Sequence, residues 1–192
     1  MSEPMTMLDG ARAADGLTCE IAERGPVGQI TLKGDLAAPA LSDAVRAITG
    51  TGLPAPLSAL FEGEAGTVWM APDEVLLLLP HAQVGDAVIR LSQALEGHHH
   101  MVLDVSDARA VLRVSGKGAQ ELMAKGAPCD VSDSAFPPGT ARRTHFAEIA
   151  VGLWRREATV WELVCFQSYA PHLFAWLVGS AAEGTEVGYF DR

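Results

Sequence analysis

Three consecutive histidines, His98, His99 and His100, are the residues of this chain whose type and spacing first suggest chemistry. Imidazole is a common ligand of zinc and other transition metals. Side chains of an extended segment point to alternate faces, so at most two of the three rings can converge on one ion. The nearest carboxylate is Asp104, and no cysteine or acidic pair completes a site. The pattern therefore favours a solvated turn between a helix and a strand.

Asp104, Ser106 and Asp107 place two carboxylates and a hydroxyl within four positions. Such a group could position carboxylates for acid–base catalysis. It could equally form an Asx or Ser turn, in which the short polar side chains bond to nearby backbone. No histidine or lysine stands at a fixed spacing to act as a catalytic partner, so the turn is favoured.

The stretch Ser115-Gly116-Lys117-Gly118 is similar to a fragment of a phosphate-binding loop. It lacks the glycine spacing and the closing Lys-Ser/Thr of a Walker motif, and no GxGxxG follows a predicted strand. A strand-to-helix turn that uses the backbone freedom of glycine explains it better. GxSxG, HExxH and a supported Cys–His pair are absent as well. The sequence therefore predicts no catalytic, cofactor-binding or metal-binding residue in this chain.

The charge balance argues against nucleic acid as a partner. The chain of 192 residues carries 14 Lys and Arg against 24 Asp and Glu, a formal net charge of -10. Phosphate backbones select clustered basic residues, whereas the densest basic groups here are the pairs at 142–143 and 155–156. An acidic surface suits solubility or a partner with a basic face.

Cysteine usage and hydropathy predict a cytoplasmic protein that does not enter a membrane. Cys19, Cys129 and Cys165 form no CxxC and would leave one thiol over in any disulfide scheme, which suits a reducing cytosol. Residues 1–9 lack the features of a signal peptide. The longest apolar run, residues 75–79, is far shorter than the roughly 20 residues that span a bilayer.

The hydrophobic periodicity predicts short strands alternating with helices. Residues 1–17 show no period and are expected to be a flexible tail, or an arm that orders on a partner. Strands are expected at residues 20–23, 28–33, 67–70, 74–79, 100–105, 108–114, 141–147, 150–155 and 159–166, and helices at 40–48, 84–95, 118–125 and 168–182. Residues 51–65 and 127–139, rich in Pro and Gly, are expected to be loops. Residues 18–192 are then one α+β domain.

The two halves of this domain have a similar order of elements. Gly34 and Gly116 each end a strand that precedes a helix, and Trp69 and Trp154 each lie in a hairpin that precedes a helix. Each half reads as strand, helix, loop, hairpin and helix, which predicts two pseudo-repeated lobes at about 18–98 and 99–185. Chance similarity between short strand–helix units is the alternative. The tryptophans are expected in the core or at an interface rather than stacked on a ligand.

Several of these segments together resemble the gamma subunit of heterotetrameric sarcosine oxidase. The residues that carry the resemblance are those at 68–74, 102–116, 118–126, 129–139, 161–165, 168–170 and 173–177. The similarity covers roughly residues 17–183. The stretch from Asp104 to Gly116 also resembles the folate-binding aminomethyltransferases typified by the glycine-cleavage T protein.

The resemblance implies an α+β fold with two related lobes, like the N-terminal domain of the aminomethyltransferases. It implies a non-catalytic gamma subunit that scaffolds the alpha subunit, in a complex that also contains beta and delta subunits. Such a complex oxidises sarcosine to glycine and passes the one-carbon unit to tetrahydrofolate. FAD, FMN, NAD and tetrahydrofolate are then expected in the partner subunits and none in this chain.

A small stand-alone folate-binding or aminomethyl-transferring protein is the alternative. It predicts a concave pocket with an acidic residue aimed at the pterin ring. The folate-contacting acidic residues of the aminomethyltransferases do not map onto this chain, and Asp104 and Asp107 match only the turn motif. A partner-binding subunit predicts instead an exposed apolar or aromatic patch.

Overall fold

The computed structural model describes residues 6–190. The chain divides into two compact units, of which unit 1 comprises residues 6–25 and 107–190 of the described part and unit 2 comprises residues 26–106. In chain order the strands are β1 (Arg12–Ala13), β2 (Glu20–Glu23), β3 (Val27–Gly34), β4 (Ala59–Glu62), β5 (Ala65–Ala71), β6 (Glu74–Pro80), β7 (His100–Asp104), β8 (Arg109–Ser115), β9 (Ala141–Phe146), β10 (Ile149–Glu157) and β11 (Val160–Phe166). The helices are α1 (Pro39–Thr49), α2 (Val84–Ala94), α3 (Ala119–Gly126) and α4 (Ala170–Ala181).

Unit 1 is a six-stranded antiparallel sheet with the order β1-β2-β8-β11-β10-β9. The helices α3 and α4 belong to this unit, and their buried residues recur at helical spacing. Its core combines aromatic and aliphatic side chains, and includes Ile21, Leu112, Leu122, Met123, Phe136, Phe146, Leu153, Trp161, Leu163, Leu173 and Leu177. Each such fully buried side chain contributes about 1.5–3 kcal/mol of transfer free energy.

Unit 2 is a five-stranded antiparallel sheet with the order β4-β5-β6-β3-β7. The helix α1 begins with Pro39 in its first turn and ends at Gly50, whose φ of 76° only glycine adopts at little cost. The buried faces of α1 and α2 cover alternate residues of the central strands, and this core includes Ile30, Leu32, Leu41, Val45, Val75, Leu77, Leu79, Val84 and Leu91.

The α+β fold and the pseudo-repeat are confirmed, because the two units share one topology. The order β3, α1, β4, β5, β6, α2 in unit 2 matches the order β8, α3, β9, β10, β11, α4 in unit 1. The sheet orders match strand for strand over these elements. Gly34 and Gly116 occupy equivalent ends of β3 and β8, and Trp69 and Trp154 lie on the equivalent strands β5 and β10.

The boundaries of the two lobes differ from the expected 18–98 and 99–185, because the halves exchange one strand each. The strand β2 precedes β3 in the chain but pairs with β8, and β7 precedes β8 but pairs with β3. Residues 18–25 therefore belong to unit 1 and residues 99–106 to unit 2. The order of elements along the chain does not reveal this exchange, because strand pairing joins residues that are far apart in the sequence.

Two further segments carry more structure than the sequence suggested. The expected loop at 51–65 contains β4, which pairs with β5. In the expected tail at 1–17, residues 12 and 13 form β1, and the Thr6 hydroxyl and the Gly10 backbone N–H donate to the Glu23 carboxylate at 2.6 and 2.8 Å. Residues 1–5 of that tail lie outside the described residues. No helix in the described range 6–190 is long and apolar enough to cross a bilayer.

Candidate functional site

The structure separates the three histidines rather than gathering them. His98 and His99 line a small groove of about 160 Å³ together with Asp35, whereas His100 lies in β7 with its Nδ1 atom 2.8 Å from the His98 carbonyl oxygen. Within residues 6–190, no three or more His, Cys, Asp or Glu side chains are grouped so that they could hold a metal ion.

The segment 104–107 forms the turn that the sequence favoured. The Ser106 backbone N–H and hydroxyl both donate to Asp104 Oδ1, at 2.9 and 2.6 Å, which is the geometry of an Asx turn. The Ser106 hydroxyl oxygen also accepts the backbone N–H of Gln29 at 2.9 Å, and Ser106 is buried. These contacts link β7 to the start of β3, so the serine and Asp104 have a structural role here.

The glycine turn at 115–118 connects β8 to α3, and the N–H groups of its two glycines are already used. The N–H groups of Gly116 and Gly118 donate to the carbonyl oxygens of Thr159 and Thr18, at 3.0 and 3.2 Å. A Cβ atom at Gly118 would lie 2.4 Å from the Thr18 hydroxyl oxygen. Glycine is therefore required by the close approach of Thr18, and the two glycine N–H groups are not free to bind a pyrophosphate group.

A larger groove of about 530 Å³ lies beside this turn in unit 1. Its walls come from the segment before β2, the start of α3 and the residues after α4, and they comprise Leu17, Thr18, Lys117, Gly118, Gln120, Glu121, Glu183, Glu186 and Phe190. Three of these residues are acidic and one is basic, so the groove does not favour an anionic ligand.

Residues 183–190, which we call the C-terminal strap, form one wall of that groove. Glu121 accepts the backbone N–H of Gly188 at 3.0 Å, and Lys125 donates to the carbonyl oxygen of Thr185 at 2.7 Å. Both partners project from α3, so two opposite charges on one helix hold the strap. Sequence patterns had indicated no element after residue 182, since these contacts depend on α3 and the strap being neighbours in space.

Glu162 is the centre of a polar cluster in unit 1, and no motif in the sequence marks it. It lies on β11 between apolar neighbours and is fully buried. Arg113 on β8 contacts its Oε1 atom through two nitrogens at 2.9 and 2.8 Å, and Arg24 lies 3.4 Å from the same atom. On the other side Trp154 Nε1 donates to Oε2 at 2.7 Å, and Arg156 lies 3.8 Å from that oxygen.

The strand register explains how these side chains meet. Arg113, Glu162 and Trp154 are direct cross-strand partners on β8, β11 and β10, so their side chains emerge on one face of the sheet in a single row. Both carboxylate oxygens of Glu162 are engaged by donors, and a buried carboxylate held this way is a structural anion rather than a free general base. The one sequence signal was a lone acidic residue inside the apolar run 160–166.

A second polar centre fixes the loop between α3 and β9. Arg155 is buried, and one guanidinium nitrogen donates to Asp133 Oδ1 at 2.7 Å and to the Phe136 carbonyl oxygen at 2.9 Å. This hydrogen bond and the charge of Arg155 hold the pKa of the Asp133 carboxyl below its usual value. The guanidinium also lies 4.9 Å from the centre of the Trp161 ring. Arg155 thereby closes a loop that the sequence described only as rich in proline.

None of the three free thiols is activated. Burial raises the pKa of Cys165 to about 11, and it also raises the pKa of Cys19 and of Cys129. A nucleophilic cysteine needs the opposite shift, towards the thiolate at neutral pH. These cysteines therefore serve as small apolar residues, as the sequence suggested for Cys165.

Exposed aromatic side chains cluster at the end of β11. Phe166 precedes a single 3-10 turn and Tyr169 is its last residue; they are 53% and 52% exposed, and Met7 is 62% exposed. The backbone N–H of Met7 donates to the side-chain oxygen of Gln167 at 3.3 Å, which places Met7 beside that turn. We call Met7, Phe166 and Tyr169 the aromatic patch. Large exposed apolar groups of this kind mark interaction surfaces.

Comparison with known proteins gives the geometry its context. The family model described as "Sarcosine oxidase, gamma subunit family" matches residues 33–183. The sarcosine oxidase subunit gamma of Corynebacterium sp. (strain P-1) is 32% identical over 179 residues, which cover 92% of this chain and 85% of that protein.

Two solved structures resemble the fold. A chain of the heterotetrameric sarcosine oxidase from Corynebacterium sp. U-96, solved in complex with pyrrole 2-carboxylate, matches with a TM-score of 0.80 and 27% identity, over 92% of this chain and 90% of that one. The glycine cleavage system aminomethyltransferase T from Bartonella henselae matches with a TM-score of 0.62 and 14% identity, over 83% of this chain and 45% of that one. The second likeness shows the fold alone.

The family model covers most of the chain, and the relative from strain P-1 is matched over nearly its whole length. The expected resemblance is therefore confirmed. This chain belongs to the sarcosine oxidase gamma subunit family.

Proposed function

We propose that this chain is the non-catalytic gamma subunit of a heterotetrameric sarcosine oxidase. Its partners in the proposed complex are an alpha, a beta and a delta subunit. The observation that carries the proposal is the likeness, at a TM-score of 0.80 over 92% of this chain, to a chain of a heterotetrameric sarcosine oxidase. The proposed role is to scaffold the alpha subunit while the complex oxidises sarcosine to glycine and transfers the one-carbon unit to tetrahydrofolate.

The state of the polar residues supports a role without chemistry of its own. Three polar side chains that could act in catalysis are engaged in internal contacts: Ser106 and Asp104 bond to each other, and Glu162 is enclosed by donors. The thiols have raised pKa values. We therefore assign FAD, FMN, NAD and tetrahydrofolate to the partner subunits. In the turn at 115–118, the N–H groups of Gly116 and Gly118 are used within the protein, so they are not free to bind the phosphates of FAD or NAD.

The aromatic patch supports binding to another subunit. Aromatic residues and methionine are enriched at protein interfaces, where they contribute large apolar area at low entropic cost. Met7, Phe166 and Tyr169 are each more than half exposed in the chain by itself. We assign this patch to the contact with the alpha subunit. The cytoplasm is the proposed compartment, since the three cysteines are free thiols.

Co-expression tests the proposal. The chain would be produced together with the alpha, beta and delta subunits encoded in the same genome, with an affinity tag on the alpha subunit alone. We expect this chain to elute with the tagged subunit in equal amounts through size-exclusion chromatography. A chain that never co-elutes with the alpha subunit contradicts the proposal.

A double substitution, Phe166→Ser with Tyr169→Ser, tests the aromatic patch in the same experiment. We expect it to reduce recovery of this chain with the alpha subunit by at least about tenfold, since central aromatic residues dominate interface energetics. The matched control is Val187→Ser, another exposed apolar residue of unit 1, at 71% exposure. Equal recovery of the double variant and the control would place the contact elsewhere.

Titration of the isolated chain with tetrahydrofolate addresses the alternative function. A gamma subunit that leaves folate to the alpha subunit should show no saturable heat of binding up to the millimolar range. Saturable micromolar binding by the isolated chain would favour a stand-alone folate-binding protein instead. The two experiments are independent, because the first measures assembly and the second measures ligand binding.

A further inference from the structure

The strand β7 differs from the other strands that lie at sheet edges. Edge strands expose unpaired backbone groups, and proteins usually blunt them by shortness, charge or proline. Within the described residues, β1 has two residues, β4 ends in Glu62, and β9 carries Arg142 and Arg143. The sequence of β7 is His-Met-Val-Leu-Asp, with charge only at its end and no proline or lysine.

The register of β7 on β3 shows which of its backbone groups point outward. The Val105 N–H donates to the Gln29 carbonyl oxygen at 2.9 Å, and Ile30 is paired with Asp104. In an antiparallel ladder, alternate residues direct their N–H and C=O groups to the same neighbour. Leu103 and Met101, in step with Val105, therefore bond towards β3. The backbone groups of His100, Val102 and Asp104 point to the open edge.

The side chains of β7 leave an apolar face at this edge. Val102 packs against the core of unit 2. Met101 and Leu103 point to the opposite face and are 39% and 50% exposed. An added strand would cover both side chains and pair the outward backbone groups in one step.

The sequence of β7 is complementary to itself when the strand runs antiparallel to a second copy. A two-fold axis through Val102 places His100 opposite Asp104 of the second copy and Met101 opposite its Leu103. Val102 then faces Val102 as a hydrogen-bonded pair, with about six backbone hydrogen bonds between the copies. Aliphatic cross-strand pairs add stability, and no like charges are opposed.

The helix α2 presents a compatible flank beside this edge. Arg90 donates to the Ala47 carbonyl oxygen of α1, so that flank of α2 faces α1. Gly85, Ile89 and Ser92 are exposed and recur at helical spacing on the other flank. Ile89 is 57% exposed, and the small residues on either side of it permit close approach.

We propose that the isolated chain forms a two-fold dimer by pairing β7 with β7 of a second copy. The pairing joins the five-stranded sheet of unit 2 to that of the second copy in one continuous antiparallel sheet. The interface is isologous, so every residue of the edge is used twice. This inference goes beyond the proposed function, which concerns contacts with other subunits.

The mass of the purified full-length chain in solution tests the dimer. Sedimentation equilibrium or light scattering should give about twice the monomer mass of 20.3 kDa. The protein concentration should run from about 1 to about 100 µM, a range in which homodimers of moderate affinity form. We expect Leu103→Lys to raise the dimer dissociation constant by at least about tenfold. In a two-fold interface each substitution is present in both copies, so its effect on the free energy of association counts twice. The matched control is Leu60→Lys on β4, the opposite edge of the same sheet, which should leave the dimer intact.

A disulfide across the axis tests the register. The Cα atoms of a hydrogen-bonded antiparallel pair lie about 5.5 Å apart, within the range that a disulfide spans. Val102→Cys, made with Cys129→Ser to remove the half-buried native thiol, should therefore oxidise to a covalent dimer. Ile89→Cys in the same background, which is displaced from the axis, should cross-link more slowly.

Each outcome bears on the proposal. A wild-type chain that stays monomeric, a Leu103→Lys chain that still dimerises, or a Val102→Cys chain that does not cross-link overturns it. A monomeric chain whose Leu103→Lys variant also fails to join the alpha subunit would assign the edge to that subunit instead, and this too overturns self-pairing. Circular dichroism of each variant confirms that it is folded. The mass and cross-linking measurements use the isolated chain, so they do not depend on the success of the co-expression experiment.

Discussion

The indole of Trp154 and the carboxylate of Glu162 lie directly opposite each other on β10 and β11, and Trp154 Nε1 donates to Glu162 Oε2 at 2.7 Å. Both residues are fully buried. The other carboxylate oxygen accepts a hydrogen bond from Arg113 Nε and lies 2.8 Å from a second nitrogen of the same guanidinium. A buried charge is tolerated only when it is paired and hydrogen-bonded, so each of these residues depends on the others.

Glu162→Ala should lower the free energy of unfolding by about 3–5 kcal/mol, because it leaves the guanidinium groups around it without their common anion. Urea denaturation followed by tryptophan fluorescence measures this. Glu157→Ala, an exposed glutamate at the end of the neighbouring strand β10, serves as the control and should cost less than about 0.5 kcal/mol. Equal effects of the two substitutions would mean that Glu162 does not organise the cluster.

The pair of Arg155 and Asp133 predicts a pH dependence of stability. The pKa of Asp133 is lowered in the folded chain, chiefly by the hydrogen bond from Arg155. The folded state therefore binds the proton more weakly than the unfolded state, and the pair stabilises the fold above the usual carboxyl pKa. This contribution is lost as the pH falls through the lowered pKa.

Asp133→Asn should flatten the acid side of the stability curve between about pH 5 and pH 2, where carboxylates titrate. Thermal unfolding over a pH series measures it. Asp43→Asn, an exposed residue of α1, provides the comparison and should leave the slope unchanged. A variant at position 133 with the wild-type slope would show that the ion pair contributes nothing in solution.

Gly118→Ala should destabilise the chain by about 1–3 kcal/mol, because the added Cβ atom would lie 2.4 Å from the Thr18 hydroxyl oxygen and 2.8 Å from the Thr18 carbonyl oxygen. Because the Thr18 carbonyl oxygen belongs to the backbone, rotation of the Thr18 side chain does not relieve the clash with the added Cβ atom. The opposite sign is expected for Gly179→Ala in α4, where nothing lies within 4 Å and alanine should add about 0.5–1 kcal/mol. Chemical denaturation of both variants gives the comparison.

The turn between β9 and β10 offers a stabilising substitution. Ala147 and Glu148 both have positive φ values, 45° and 73°, which suit glycine or asparagine better. Glu148→Gly should therefore raise the free energy of unfolding by about 0.5–1 kcal/mol. Glu157→Gly, in a strand and without a positive φ, should lower it instead. A loss of stability in both variants would argue that the Glu148 side chain compensates the backbone strain.

Much of the fold follows from the local pattern of the sequence. The apolar spacing at Val84, Val88 and Leu91 predicts α2, and the run 74–79 predicts β6, because each pattern reports which face of a single element is buried. The turn at 115–118 is predictable for the same reason, since glycine chemistry is local. The strand β4 was missed because Pro and Gly around it indicate a loop, and its pairing with β5 overrides them.

What the sequence by itself determined is the kind and order of every element except β1 and β4, the repeat marked by Gly34 and Gly116, and the family that these segments resemble. Only the tertiary structure decided that β2 and β7 exchange places, that Glu162 meets Arg113 and Trp154, and that β7 has an open edge. The physical reason is the separation along the chain between the residues that interact. Periodicity and turn chemistry depend on neighbours along the chain, whereas strand pairing brings together residues that no local pattern relates.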